Sequence, residues 1–166
     1  MGNVFVDREY ELELLKGFVE KRGVILVYGR RRVGKTRLLL EFIQRFKGKV
    51  LYHLCIDEPI GLMLKGISRK LYRLFNDDKL LDKPLSSFDE FFEYLRDKEL
   101  VVVFDEFPVL AMRYPRITGL LQGFIDLYNG RVCFILCGSH VSMMERLASY
   151  TSPLYGRRLA SINLIH

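Results

Sequence analysis

The sequence predicts a single domain of the α/β class, in which strands alternate with helices along the chain. Short apolar runs alternate along the chain with longer segments whose apolar residues recur at helical spacing. Continuous apolar runs are typical of strands buried on both faces, and their alternation with helices is typical of parallel sheets. A glycine-rich loop follows the first run and a pair of acids ends the third. We therefore expect the chemistry at the carboxyl ends of the strands.

Length and composition indicate a single soluble domain. A chain of 166 residues buries about two thirds of its unfolded surface. No apolar run approaches the roughly 18 to 20 residues of a membrane helix, and no secretory signal is visible. We therefore expect a cytoplasmic protein without membrane contact. Cys55, Cys133 and Cys137 lie in apolar runs, and we interpret them as reduced core residues.

In the first half, helices and strands alternate. Asp7 is a suitable N-cap for the first helix, and Gly23 ends it. The apolar patterns predict strands at 24–28 and 50–56, and helices running from Asp7 to about Lys21, from Thr36 to Phe46 and from about Ile60 to Asn76.

In the second half, a polar, turn-like stretch at 76–84 precedes a short helix capped by Ser86 or Ser87. His140 follows the last predicted strand of this half and is a candidate cap for a further helix. The patterns predict strands at 100–104 and 132–137, and a helix from Arg116 to Asn129.

Residues 29–36 fit the phosphate-loop pattern G-x-x-x-x-G-K-[ST]. Its two glycines can take positive φ, so that backbone N–H groups turn inward toward an anion. Lys35 would reach the β- and γ-phosphates of a nucleotide, and Thr36 would ligate Mg²⁺. A plain glycine turn is the structural alternative. The predicted cofactor contacts are Gly29, Arg30, Arg31, Arg32, Val33, Gly34, Lys35, Thr36 and Arg37.

The acids Asp105 and Glu106 end the strand predicted at 100–104. Asp105 would hold the water shell of Mg²⁺, and Glu106 would orient and deprotonate an attacking water. Solvated acids at a strand end are the alternative. No N-K-x-D guanine motif occurs, which favours ATP over GTP as the ligand.

Two further polar features are compatible with more than one role. Ser139 follows the strand at 132–137 and is predicted to lie near the γ-phosphate as a sensor, or else to cap a helix. The three arginines at 30–32 have three possible roles. They are solvated at the tip of the loop, or they contact nucleic acid, or they contact the triphosphate of a neighbouring subunit. The net charge of +6 permits contact with nucleic acid or anionic ligands.

Five segments together resemble the archaeal-type ATPases, on the STAND and AAA+ side of the P-loop NTPases. They are the loop at 29–36, Phe-Val-Asp-Arg-Glu at 5–9, Asp-Glu-Phe-Pro at 105–108, Gly-Ser at 138–139 and Ser-Pro-Leu-Tyr-Gly-Arg at 152–157. The resemblance covers about residues 4 to 158. It implies a three-layer αβα sandwich with a parallel sheet of order 5-1-4-3-2, whose fifth strand we place at Ile162 to Ile165.

The resemblance also implies roles for two outer segments. Phe5 to Glu9 would approach the adenine, and Arg157 would act as an arginine finger or γ-phosphate reader, unless it is a surface arginine beside Arg158. Proteins of this kind continue into a helical lid and a winged-helix region, whereas this sequence ends at His166. We therefore expect one ATPase core over residues 1–166, slow turnover, and an exposed C-terminal edge that a second copy or a protein partner could cover.

Three functions follow as hypotheses. The first is an ATP-binding domain with Mg²⁺-dependent hydrolysis. The second is a switch that binds ATP or ADP and signals through conformation or assembly with little turnover. The third is a DNA-associated helper ATPase, whose affinity for nucleic acid would fall steeply with salt.

Overall fold

The computed structural model describes residues 8–128 and 131–165. The predicted cap Asp7 and the predicted helix end Asn129 lie outside these ranges. Five strands form one sheet: β1 (Gly23–Tyr28), β2 (Val50–Leu54), β3 (Glu99–Asp105), β4 (Arg131–Gly138) and β5 (Arg158–Asn163). The helices are α1 (Glu9–Phe18), α2 (Lys35–Arg45), α3 (Ile60–Phe75), α4 (Lys79–Asp82), α5 (Phe88–Leu95), α6 (Phe107–Arg113), α7 (Ile117–Leu127) and α8 (Val141–Ala148).

The sheet is parallel throughout, with strand order β2-β3-β4-β1-β5. Counted from the other edge, this is the predicted order 5-1-4-3-2, which is thereby confirmed. The carboxyl ends of β1, β3 and β4 therefore lie side by side, with β2 next to β3. This arrangement gathers the loop after β1 and the acids after β3 at one edge of the sheet.

Strand β1 shows how one sheet supports two cores. Val24 and Leu26 pack with α3 and the helices that follow it, whereas Ile25 and Val27 pack with α1 and α2. Because successive side chains of a strand point to opposite faces, a fully apolar strand places half of its residues in each core. The three-layer αβα sandwich is the direct result.

The fifth strand lies earlier in the chain than predicted. It spans Arg158–Asn163, so the predicted segment 162–165 overlaps only its last two residues. β5 is an edge strand on which every residue but Ile162 is exposed or half-exposed, and it therefore lacks the continuous apolar run that marks the inner strands. Just past it, the Leu164 N–H still donates to the Tyr28 carbonyl at 2.7 Å.

Caps and close packing determine where the helices near the site begin. Ser87 accepts a hydrogen bond from the Glu90 N–H, and the His140 ring accepts one from the Met143 N–H, so both capping predictions are confirmed. At the end of β4, a Cβ on Gly138 would lie 2.6 Å from Pro108 Cδ. Glycine at this position lets the start of α6 pack directly on β4.

The three cysteines are buried and unpaired, as predicted. Burial raises the pKa of the Cys133 thiol to about 12, so the thiol stays protonated. Among the described helices, none is long and apolar enough to cross a membrane.

His53 is a buried polar residue on β2. Its Nδ1 lies 3.0 Å from Lys70 Nζ, while its buried Nε2 finds no hydrogen-bond partner among the described residues. Burial first, and then the charge of Lys70, lower the pKa of His53 to about 4. The imidazole is therefore neutral in the folded protein at pH 7.

The neutral state of His53 makes stability depend on pH. Between about pH 6.5 and pH 4 the unfolded chain binds a proton at this site that the folded chain does not bind. We expect the free energy of unfolding, measured with urea, to fall as pH is lowered through that interval. His53→Leu should flatten the dependence, and an equal slope in the variant would contradict the assignment.

Candidate functional site

The loop between β1 and α2 begins and ends with glycines that serve different purposes. Gly34 has φ of 93°, in the left-handed region, and precedes the first residue of α2. Gly29 does not have a positive φ. Instead, a Cβ on Gly29 would lie 2.5 Å from the Leu164 carbonyl oxygen, so glycine is needed for close approach. The prediction of positive φ is therefore confirmed for Gly34 and wrong for Gly29.

Lys35 is the first residue of α2 and is only 5% exposed. Its Nζ donates to the Arg30 carbonyl oxygen across the loop at 2.8 Å. The ammonium group thus lies inside the curve of the loop, at the positive end of the α2 dipole. This is an environment suited to an anion.

Asp105, the last residue of β3, is fully buried and its carboxylate is surrounded by donors. Oδ2 accepts from Thr36 Oγ1 at 2.9 Å and from the Tyr52 hydroxyl at 2.5 Å. Oδ1 accepts from the Glu106 N–H at 3.0 Å. These hydrogen bonds offset the cost of burying a charge.

Tyr52 belongs to none of the predicted motifs. Leu54 lies opposite Asp105 in the sheet, and Tyr52, two residues earlier, points to the same face as Leu54. Burial, followed by the hydrogen bond to Asp105, raises the pKa of Tyr52, so the phenol remains a donor. A tyrosine inside the otherwise apolar strand predicted at 50–56 was the available signal, but the residues alone did not show which strand lay beside it.

Glu106 joins β3 to α6 in a left-handed conformation, with φ of 55°. Ser139 is the first residue after β4, and its hydroxyl donates to the two carboxylate oxygens of Glu106 at distances of 3.2 and 3.1 Å. Since β3 and β4 are neighbours, their ends bring these two side chains together. The sensing role of Ser139 stays a prediction.

Two clefts flank the loop. The basic cleft, of about 560 Å³, is lined by Arg31, Arg32, Gly34, Lys35, Thr36, Arg37, Glu106 and Val109. The apolar cleft, of about 530 Å³, lies on the β5 side and is lined by residues 29–33 with Val141, Asn163, Leu164 and Ile165. The basic cleft combines four cationic side chains with one carboxylate, so its field favours an anion.

Arg8, at the start of the described chain, connects α1 to the loop. Its guanidinium donates to the Val33 carbonyl oxygen at 2.7 Å and pairs with Glu11 at 3.4 Å. Arg8 belongs to the segment predicted to approach the adenine, whose residues 5–7 lie outside the described ranges.

Arg157 lies away from this site. Its carbonyl oxygen accepts from the Val24 N–H at the start of β1, and its guanidinium pairs with Asp126 at 2.9 and 2.6 Å. The length of β1, roughly 16 Å, separates that end of the sheet from the loop. The predicted γ-phosphate contact therefore cannot be made to the loop of the same chain, and a finger toward a neighbouring copy stays a prediction.

The predicted metal ligands Thr36 and Asp105 are hydrogen-bonded to each other. Both offer oxygen, the ligand atom that Mg²⁺ prefers. Within residues 8–128 and 131–165, no group of three or more His, Cys, Asp or Glu side chains could hold a metal ion. The pair therefore fits Mg²⁺ that takes its other ligands from phosphate and water, as is usual for this ion.

Comparison with known proteins identifies the family. A family model described as the ATPase domain predominantly from Archaea matches residues 5–165. The chain belongs to this family.

Two curated relatives come from Methanocaldococcus jannaschii. The uncharacterized protein MJECL04 is 32% identical over 166 residues, which cover 97% of this chain and 36% of the relative. The uncharacterized ATP-binding protein MJ0423 is 48% identical over 48 residues, covering 28% of this chain and 81% of the relative. This chain thus spans little more than a third of the length of MJECL04.

Solved structures share the fold at low identity. A chain of Drosophila ORC bound to DNA has a TM-score of 0.70 and 18% identity, covering 98% of this chain and 43% of the other. The Aeropyrum pernix ORC1 protein in complex with DNA has a TM-score of 0.66 and 17% identity, covering 95% and 45%. The Aeropyrum pernix ORC2 protein, in ADPNP and ADP complexes, has a TM-score of 0.61 and 19% identity, covering 96% and 45%. These likenesses show that the chain has the P-loop NTPase fold.

Proposed function

We propose that this chain binds ATP with Mg²⁺ at the basic cleft and hydrolyses its terminal phosphoanhydride bond. The observation that supports this most is that Lys35, the Thr36–Asp105 pair and Glu106 meet at one edge of the sheet. Membership of an ATPase-domain family and the name of the ATP-binding relative agree with it.

In this proposal the loop binds the phosphates. Lys35 already places its ammonium group inside the loop, and the first N–H groups of α2 lack partners within the helix. Both would neutralise the β- and γ-phosphates, together with Arg31 and Arg32 at the wall of the cleft. Bound Mg²⁺, held by Thr36 and Asp105, would supply further positive charge and fix the orientation of the phosphates.

Glu106 would act as the general base. It lines the basic cleft beside the loop and is held by the Ser139 hydroxyl. A water placed between Glu106 and the γ-phosphate would give up its proton to the carboxylate as its oxygen attacks phosphorus, and ADP would be the leaving group. Ser139 would keep the carboxylate turned toward that water.

The apolar cleft would take the adenine ring. Val33, Val141 and Leu164 line it, and Arg8 fixes the loop beside it through the Val33 carbonyl. ATP is favoured over GTP by the absence of a guanine motif from the sequence.

A switch with little turnover is the second candidate, and the Ser139–Glu106 contact favours it. Both oxygens of Glu106 lie within hydrogen-bond distance of the same hydroxyl, which competes with water for the carboxylate. The protein could then retain a bound nucleotide, and its conformation would report the bound state while hydrolysis stays slow.

A further proposed partner is nucleic acid. Arg30, Arg31 and Arg32 are exposed on the loop, and two of the solved structures with this fold contain DNA. Three adjacent guanidinium groups are suited to phosphate contacts.

Lys35→Ala tests phosphate binding. We expect the affinity for ATP, measured by calorimetric titration with Mg²⁺, to fall at least about tenfold, because the variant lacks the ammonium group inside the loop. Lys47→Ala removes an exposed lysine just after α2 and should bind ATP as the parent does. Equal affinities in parent and Lys35→Ala would contradict the proposal.

Glu106→Gln separates binding from hydrolysis. Glutamine keeps an oxygen that can accept from Ser139 but cannot take a proton from water, so we expect unchanged ATP affinity and a turnover lower by about 10² to 10⁴. Glu145→Gln, on the exposed side of α8, is the matched control. Hydrolysis at the parent rate in Glu106→Gln would remove this residue as the base, whereas tight binding by a parent without turnover would support the switch.

Replacing Arg30, Arg31 and Arg32 together by alanine tests the contact with nucleic acid. For duplex DNA without nucleotide, we expect weaker binding and a slope of log affinity against log salt that is shallower by about 2 to 3. Lys65, Arg69 and Arg73 form an exposed row of three cations on α3, and their triple alanine variant is the control. An unchanged slope in the loop variant would exclude DNA contact through these arginines.

A further inference from the structure

The Tyr52 hydroxyl makes a contact that the proposed reaction does not yet explain. It donates to Asp105 Oδ2 at 2.5 Å, the same oxygen that accepts from Thr36. Tyr52 lies on β2, an edge strand, whereas Asp105 ends β3 beside it. A side chain from outside the loop thus supports the buried carboxylate.

We propose that Tyr52 is a positioning residue, which holds the Asp105 carboxylate in the orientation that Mg²⁺ bound with nucleotide requires. This inference rests on the proposed function. It concerns the hydrogen bond alone and assigns Tyr52 no contact with the metal ion or the phosphates.

The three donors around Asp105 are not equivalent. Thr36 is itself a proposed ligand, so its hydroxyl would have to serve the metal ion through its oxygen and the carboxylate through its proton at the same time. The Glu106 N–H supports only Oδ1. Of the two hydroxyls that donate to Oδ2, that of Tyr52 has no other assigned task.

The sheet determines the reach of Tyr52. Leu54 is paired with Asp105, so Tyr52 stands two residues back on the same face, and its long side chain spans the distance to the carboxylate. The backbone strengthens the connection, since the Cys55 N–H donates to the Asp105 carbonyl oxygen at 2.8 Å. The sheet fixes the backbone of Tyr52, and the hydroxyl at the far end of its side chain contacts Asp105.

A second tyrosine provides a matched comparison. The Tyr94 hydroxyl donates to Asp77 Oδ2 at 3.0 Å, and this contact joins α5 to the turn after α3. Tyr94→Phe therefore removes a phenol-to-carboxylate hydrogen bond of the same kind at a position outside the site.

The experiment compares Tyr52→Phe and Tyr94→Phe with the parent chain. ATP affinity is measured in excess EDTA and then across a series of Mg²⁺ concentrations. We expect all three proteins to bind ATP equally in EDTA. The Mg²⁺ concentration that gives half of the gain in affinity should rise about tenfold or more in Tyr52→Phe, because outer contacts of metal ligands have effects of this size. It should be unchanged in Tyr94→Phe.

The outcomes separate this inference from the proposed function. If the parent does not bind ATP with or without Mg²⁺, the proposed function fails and this inference fails with it. If the parent shows a gain with Mg²⁺ and Tyr52→Phe shows the same dependence, the proposed function stands and the role of Tyr52 is overturned. An equal loss of affinity in EDTA and in Mg²⁺ would also overturn it, because the loss would then be structural.

Thermal unfolding of the three proteins establishes whether they are folded. Should Tyr52→Phe not fold, Tyr52→Met is the second variant, since methionine fills apolar space flexibly and has no hydroxyl. The same shift in Mg²⁺ dependence is expected from it, and parent-like dependence would overturn the inference.

Discussion

The buried charge of Asp105 is the constraint on which the site depends. An ionised carboxylate without partners inside a protein costs several kcal/mol, so the fold must supply donors wherever it buries one. Here the donors are a hydroxyl from α2, a phenol from β2 and the next backbone N–H. Each comes from a different element, so the carboxylate links the first turn of α2 to the edge of the sheet. The same hydrogen bonds therefore stabilise the fold and fix the geometry of the site.

The apolar strands make this arrangement possible. β1, β3 and β4 are buried on both faces, so polar chemistry is confined to their carboxyl ends, where the backbone leaves the sheet. Neighbouring ends in a parallel sheet lie at one level, which places Lys35, Glu106 and Ser139 side by side. Close packing supports the same edge, because Gly29 and Gly138 admit the chain after β5 and the start of α6 where a Cβ would collide.

The features that could be predicted from the sequence are those set by residues close together in the chain. The loop at 29–36 and the acids at 105–106 stand next to apolar runs that mark their strands, so their positions at strand ends followed directly. The order of the strands came from the resemblance to a family, since the residues alone do not specify which strands pair. The contact of Tyr52 and the remoteness of Arg157 depend on that pairing and on register, and local patterns carry no information about either. β5 was misplaced because an edge strand needs no continuous apolar run.

The two acids differ in how firmly they are held, and this difference matches the work proposed for them. Asp105 accepts hydrogen bonds on both oxygens from three donors and is fully buried, so its position is tightly restrained. Glu106 is half-exposed, and its carboxylate is held by one hydroxyl, that of Ser139. The backbone of Glu106 itself has a sparsely populated, left-handed conformation. A metal ligand must stay in place, whereas a base must approach water and change its protonation state. Adjacent residues can meet both demands because the chain turns sharply between them, leaving one carboxylate inside the fold and the other facing the cleft.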